Sequence, residues 1–306
     1  MMWQLLATFI LPLVSMGMQA PLQSPRHIVF GTTTTSTPSF SLEVAPALTN
    51  GPRRVITDSL GISVTASSTI ALDAASGAVV FEKNADATRT LASITKLMTL
   101  QTIIDTLPAD STVLTIEQGD YERVGHNTFN VGDTATVHDA MASAIIASDN
   151  TAVRALVRVA GFTPATAVTA MNERAQSLGL VRTSFTEVTG LADSNVATAR
   201  EVAVFAQKAF ELPRIARFAG LRSYQFTAPD GTSYSLKNTN KLIGGIIHIV
   251  AGKTGFVDEA GYNLVSLVDL NGHRVLIVSL GSGTTLDRFQ DVKAVATWVF
   301  ENYTWP

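Results

Sequence analysis

A chain of 306 residues, 46% hydrophobic and 15% charged, can bury a full core, which excludes a disordered protein. A net charge of -3 without a long basic run excludes a nucleic-acid surface, because neutralising phosphates takes clustered Lys and Arg. The absence of cysteine excludes disulfides, thiolate nucleophiles and cysteine-held metals.

Leu5 to Val14 is an apolar run broken only by Thr8 and Pro12, the length of a signal-peptide core and too short to span a bilayer. Residues 1–20 are therefore expected to be a leader for export; if retained, they would attach the chain to a membrane. Residues 21–67 are rich in Thr, Ser and Pro with no amphipathic period, and read as a flexible spacer. The folded domain is expected over 68–306.

Thr69 to Asp73 and Ala78 to Lys83 are β-prone runs around Ala75-Ser76-Gly77, a hairpin by its turn chemistry. Leu91 to Thr106 places Leu97, Leu100, Ile103 and Ile104 at helical spacing, which puts Ser93 near a helix start. Helices follow over Val137 to Ala147, Asn150 to Ala160, Pro164 to Leu178 and Ala199 to Phe210, the last behind the capping box Thr198-Ala199-Arg200-Glu201. Strands return as Ser223 to Thr227 and Ser233 to Lys237 around Pro229-Asp230-Gly231. Two more, Asn263 to Leu270 and Arg274 to Leu280, flank Asn271-Gly272, a strong hairpin signal. Leu286 to Tyr303 closes the chain as an amphipathic helix. Strands at both ends of a helical block predict an α+β fold: one antiparallel sheet built from both chain ends, flanked by helices, with a mostly helical insertion.

Three short strings carry the chemistry. Ser93-Ile94-Thr95-Lys96 sets a hydroxyl and an amine at i and i+3, on one helical face and within hydrogen-bonding reach. A pair of that kind arises about once by chance in such a chain. Its context is better, since free N–H groups and the dipole at a helix start disfavour a charged lysine, and a neutral Lys96 can act as a base. In Ser148-Asp149-Asn150 the polar pair Ser148 and Asn150 falls between two helical runs; alone the pair is a helix cap, but in an acyl-transfer site the hydroxyl relays a proton and the amide holds a peptide carbonyl. Lys253-Thr254-Gly255 lies where strands resume, with Gly252 and Gly255 leaving room for another backbone; alone it is a tight turn. As an edge strand it would let a substrate add alongside, Lys253 and Thr254 meeting a carboxylate and the amides of Ser93 and Phe256 forming an oxyanion hole.

The three strings, 55 and 105 residues apart, together resemble the penicillin-recognising serine acyl-transferases. More closely, residues 68 to 305 resemble the D-alanyl-D-alanine carboxypeptidases among the low-molecular-mass penicillin-binding proteins. Met171-Asn172, Leu178-Gly179, Thr189-Gly190-Leu191, Thr198-Ala199-Arg200 and Ala260-Gly261-Tyr262-Asn263-Leu264-Val265 carry that resemblance beyond the strings. It implies the penicillin-binding, serine β-lactamase-like transpeptidase fold, export to the periplasmic or cell-wall side of the membrane, and peptidoglycan stem peptides as substrates with β-lactams as covalent inhibitors. No cofactor or metal is implied. By resemblance Ser93 is the nucleophile, Lys96 its base and Ser148 the proton relay; Asn150, Lys253, Thr254, Gly255 and Phe256 bind substrate. Arg288, ten residues before Trp298, matches an arginine that binds the terminal carboxylate in carboxypeptidases; alone it reads equally as a surface arginine.

Two departures leave substrate choice open. The second string reads Ser-Asp-Asn where these carboxypeptidases have Ser-Gly-Asn, and the chain ends at Pro306, a short form more typical of the DD-endopeptidase branch, which cleaves cross-links. A β-lactamase would need a deacylation base, and the Glu-x-x-Leu-Asn string is missing; Glu187, four residues before Leu191, does not fit it. A non-catalytic wall-binding module would need neither nucleophile nor base. His27, His126, His138, His248 and His273 are scattered without metal-binding spacing, and surface or packing roles suffice for them.

Overall fold

The computed structural model describes residues 51–306 apart from Leu60. The expected leader, and the expected spacer as far as residue 50, lie outside the described residues. Five antiparallel strands form the central sheet in the order His248–Val257, Gly261–Leu270, His273–Ser282, Ser68–Asp73, Val79–Lys83. The two ends of the body thus meet in mid-sheet, as the strand pattern predicts, and His248–Val257 is an edge strand.

Both faces of the sheet are covered, so its strands alternate between two cores rather than between core and water. Ile70, Leu72, Leu276, Val278 and Leu280 point into a large cluster with the helical block. Ala71, Val275, Ile277, Leu264 and Val268 point the other way. Between the strands run α1 (Thr95–Ile103), α2 (Val137–Ala142), α3 (Asn150–Val159), α4 (Pro164–Ser177), α5 (Ala199–Glu211) and α6 (Pro213–Ala219). The C-terminal α7 (Thr285–Asn302) lays Phe289, Val292, Val295, Ala296 and Val299 on the second face. Each of the Phe and Val side chains stabilises the packing by about 1.5–3 kcal/mol.

Turn chemistry set the hairpins where the sequence places them. Asn271 and Gly272 both take positive φ, +55° and +87°, which a two-residue hairpin requires. Other elements differ. The helix expected over 137–147 becomes π-helical from Ser143 to Ala147, after α2. The capping box before α5 is only half made: Thr198 accepts the Glu201 amide, but the Glu201 carboxylate accepts the Arg182 amide and the Thr183 hydroxyl instead.

Residues N-terminal to Ser68 also join the body, which lies outside the expected boundary. Arg53–Arg54 pairs with Tyr303–Thr304, Val64 is buried with the α7 cluster, and the Asp291 carboxylate accepts the amides of Thr65 and Ala66 at 2.7 and 2.9 Å. Lys83 donates to the carbonyls of Val64 and Ala66. This segment is held by side chains of distant elements, so it carries no periodicity of its own to read.

Candidate active site

Ser93 sits in a 3₁₀ turn, Ala92–Ile94, that leads into α1. The turn is strained: Ala92, fully buried, takes φ +48°, in the left-handed region that costs an alanine about 1–3 kcal/mol. Three contacts hold it there. The buried Asn263 side chain, on the sheet, donates to the carbonyls of Thr90 and Leu91 at 2.9 and 3.1 Å, and the Leu91 amide donates to Asn195. Two glycines make room for the turn. A Cβ on Gly190 (φ +88°) would lie 1.9 Å from the Ala92 carbonyl oxygen, and one on Gly255 2.9 Å from that of Leu91. The space expected beside Gly252 and Gly255 for a second backbone is therefore filled: Gly255 meets the Leu91–Ser93 turn, and a Cβ on Gly252 would meet the Asn240 side chain at 2.6 Å.

Lys96, one turn further along, has no exposed surface, and its Nζ donates to Ser93 Oγ at 2.8 Å, to Asn150 Oδ1 at 2.6 Å and to the Thr189 carbonyl at 2.6 Å. Burial pushes its pKa down from 10.5 to about 7, against the opposing charges of Glu187 and Asp149. The sequence argument placed the cause in the helix dipole; loss of water is the main one. An amine that is about half neutral at pH 7 can take a proton from a hydroxyl 2.8 Å away.

The π-helical turn ends at Ser148, held at φ +62°, ψ +33°, and this left-handed residue turns the hydroxyl out of the helix line. Lys253, also buried, donates to Ser148 Oγ at 2.6 Å and to the Thr254 carbonyl at 2.9 Å. Its pKa falls well below the ordinary value through burial, then through repulsion from Lys96 and Arg288. Thr254 donates its hydroxyl to Thr239 at 2.6 Å.

Asp149, which the sequence argument left without a role, is the N-cap of α3 and fully buried. Its carboxylate accepts the Ala152 amide, the Thr128 amide and the Ser143 hydroxyl. The neighbouring residues tie down the same segment: Asn150 donates its amide to the His126 carbonyl and its side chain to the Val124 carbonyl, while Thr151 accepts the Glu122 amide. The second string therefore binds its own chain as well as presenting a serine.

The candidate residues converge. Ser93, Ser148, Asn150, Thr254, Gly255, Phe256 and Arg288 line one cleft of about 310 Å³, with Lys96 and Lys253 buried beneath it. Phe256 is half exposed and stacks on Tyr262, ring centroids 4.3 Å apart. Arg288 is not the surface arginine of the alternative reading. It is 8% exposed, lies over the rings of Tyr262 and Phe289, and donates to the Gly255 carbonyl at 3.2 Å; among the described residues no carboxylate pairs with it. Gly125, His126, Lys241, Thr239 and Leu191 complete the lining and were missed as site residues. Only the placement of the segment before α3 brings His126 there; desolvation at the cleft wall and the charges of Lys253 and Lys96 hold its pKa below the ordinary value. Among the described residues no acidic side chain lines the cleft. A larger cleft of about 620 Å³ lies at the other end of the sheet, around Asp73, His273 and Trp305, away from these groups.

A family model described as D-alanyl-D-alanine carboxypeptidase matches residues 54–284. The chain belongs to that family of serine peptidases. A D-alanyl-D-alanine endopeptidase of Pseudomonas aeruginosa is 30% identical over 264 residues, 85% of each chain. The D-alanyl-D-alanine carboxypeptidase DacC of Escherichia coli is 31% identical over 78% of this chain but 62% of its own length. In fold, the family member resembles the Streptomyces K15 DD-transpeptidase, with a TM-score of 0.74 at 23% identity over 79% of this chain and 100% of that one. The α+β, penicillin-binding fold expected from the strings is the fold observed.

Proposed function

We propose that this enzyme is a serine DD-carboxypeptidase that removes the terminal D-Ala from peptidoglycan stem peptides through an acyl-enzyme on Ser93. One observation carries the reading: two hydroxyl–lysine pairs, Ser93 with Lys96 and Ser148 with Lys253, face a single cleft. Ser93 Oγ attacks the carbonyl of the penultimate D-Ala and its proton passes to Lys96. The amides of Ser93 and Phe256 receive the oxyanion. As the C–N bond breaks, Ser148, hydrogen-bonded to Lys253, delivers a proton to the departing D-Ala amine, and water then hydrolyses the ester. Asn150 and the edge strand position the peptide, while Arg288 and Thr254 meet its carboxylate. β-Lactams would trap the same ester. Such a substrate puts the enzyme on the outer side of the cytoplasmic membrane, in keeping with the expected leader; among the described residues no helix is long and apolar enough to cross a bilayer.

A second reading, DD-endopeptidase cleavage of cross-links, is supported by the similarity to the P. aeruginosa endopeptidase, 30% identical over 85% of each chain. Purified enzyme given a stem pentapeptide and a cross-linked dimer separates the two. Free D-Ala from the pentapeptide with an intact dimer supports the first reading; monomers from the dimer alone support the second. Beneath both lies the ester itself. Fluorescent penicillin should label the native chain and leave Ser93→Ala unlabelled, and an unlabelled native chain would sink the serine acyl-enzyme.

A further inference from the structure

One of the three acceptors around Lys96 Nζ comes from far along the chain, and a single carboxylate holds it in place. Thr189 turns its carbonyl toward the amine at 2.6 Å. Behind that carbonyl, Glu187 accepts the amide and the hydroxyl of Thr189, each at 2.6 Å, the amide of Gly190, and the side-chain amide of Asn195 at 2.8 Å. Asn195 is itself fixed. It is fully buried, its oxygen accepts the Thr186 amide at 2.7 Å, and its nitrogen reaches Thr95 of α1 at 3.2 Å. The carboxylate is thus tied through Asn195 to the helix that carries Lys96 and through Thr189 to the amine itself.

Glu187 does not line the cleft, and its oxygens are occupied by the turn. It is therefore not placed to activate a water for deacylation. Its neighbours assign it another task. We propose that Glu187 is a positioning residue for acylation: it fixes the Thr189 carbonyl against Lys96 and places a carboxylate behind that carbonyl. This rests on the reading of Lys96 as the base for Ser93.

The charges facing Lys96 come from four segments. Glu187 and then Asp149, at the start of α3, favour the ammonium form and partly offset burial. The charge of Lys96 in turn holds down the pKa of Lys253 on the edge strand and, with Lys253, that of His126. Removing the Glu187 charge leaves burial opposed by Asp149 alone, so the amine should lose its proton at lower pH. A merely structural role for Glu187 would not move that titration.

The titration can be read without substrate. In the full chain carrying Ser93→Ala and lysines labelled with carbon-13 at Cε, the Lys96 resonance, assigned by its loss in Lys96→Met, is followed against pH. Glu187→Gln should move its midpoint downward by about half a unit or more. An unmoved midpoint in a folded variant overturns the proposal. Glu187→Asp, with serine restored, keeps the charge but is too short to span four donors. Its acylation by penicillin should fall about tenfold at the pH plateau with the acid limb unmoved. A parental plateau would overturn the proposal even if Glu187→Gln does not fold. Failure of the peptidase reading would appear separately, as a native chain that penicillin does not label.

Discussion

With Lys96 at about 7 in the fold and 10.5 in the unfolded chain, stability and chemistry oppose each other at one residue. Below pH 7 the folded protein must hold a buried ammonium ion, at a cost of about 5 kcal/mol. From about 7 to 10.5 the unfolded chain binds more protons than the folded one, so stability rises with pH through that window. Lys253, shifted in the same direction, adds to the slope. Lys96→Met removes the Lys96 contribution but strands two acceptors, Asn150 Oδ1 and the Thr189 carbonyl, which offsets about 2–4 kcal/mol. The variant should be inactive and should melt higher than the parent at pH 6, with the order reversed by pH 10, where the Lys96 penalty has fallen below the cost of the stranded acceptors. A melting difference that stays constant across that range would show that Lys96 is not buried near neutrality.

At the scale of elements, the site depends on a strained turn and the pieces that enclose it. Ala92 would relax from φ +48° if its neighbours allowed it; Asn263 pins the carbonyls of Thr90 and Leu91, and Gly190 closes against the carbonyl of Ala92 itself. Gly190→Ala adds a methyl 1.9 Å from that oxygen at a backbone angle alanine disfavours. It should cost about 3 kcal/mol or more, read from the denaturant midpoint, and abolish penicillin labelling. Near-parental labelling would mean the turn has slack that the contacts do not suggest. The three strings are thus held by segments outside them: 187–195 behind Lys96, 122–128 over Asn150, and the sheet through Asn263.

For the whole molecule, the same Asp291 that receives Thr65 and Ala66 also accepts the Thr65 and Ser282 hydroxyls, both at 2.8 Å. One buried carboxylate thereby joins the start of the described chain, the end of a central strand and α7. Asp291→Ala leaves the two amides without their acceptor and should destabilise the fold by about 3 kcal/mol. Calorimetry that finds less than about 1 kcal/mol would indicate that water replaces the carboxylate. The site should remain competent in the surviving folded fraction, because none of these contacts touches the cleft.

The sequence by itself determined the reaction type and the outline of the fold. Both are local: i, i+3 spacing puts Ser93 beside Lys96, and Asn271-Gly272 and Ala75-Ser76-Gly77 turn their hairpins wherever they stand. It also determined Arg288 as a candidate, though not its environment. What only the tertiary structure decided rests on groups that meet across long separations. Lys253 reaches Ser148 over 105 residues, Lys96 loses its water only when the sheet and helical block close on it, and Gly255 is a glycine because the Leu91–Ala92 turn comes to rest there. Asp149, Glu187, Asn195 and Asn263 escaped the sequence for one physical reason: each works by hydrogen-bonding backbone, which leaves no spacing or periodicity behind.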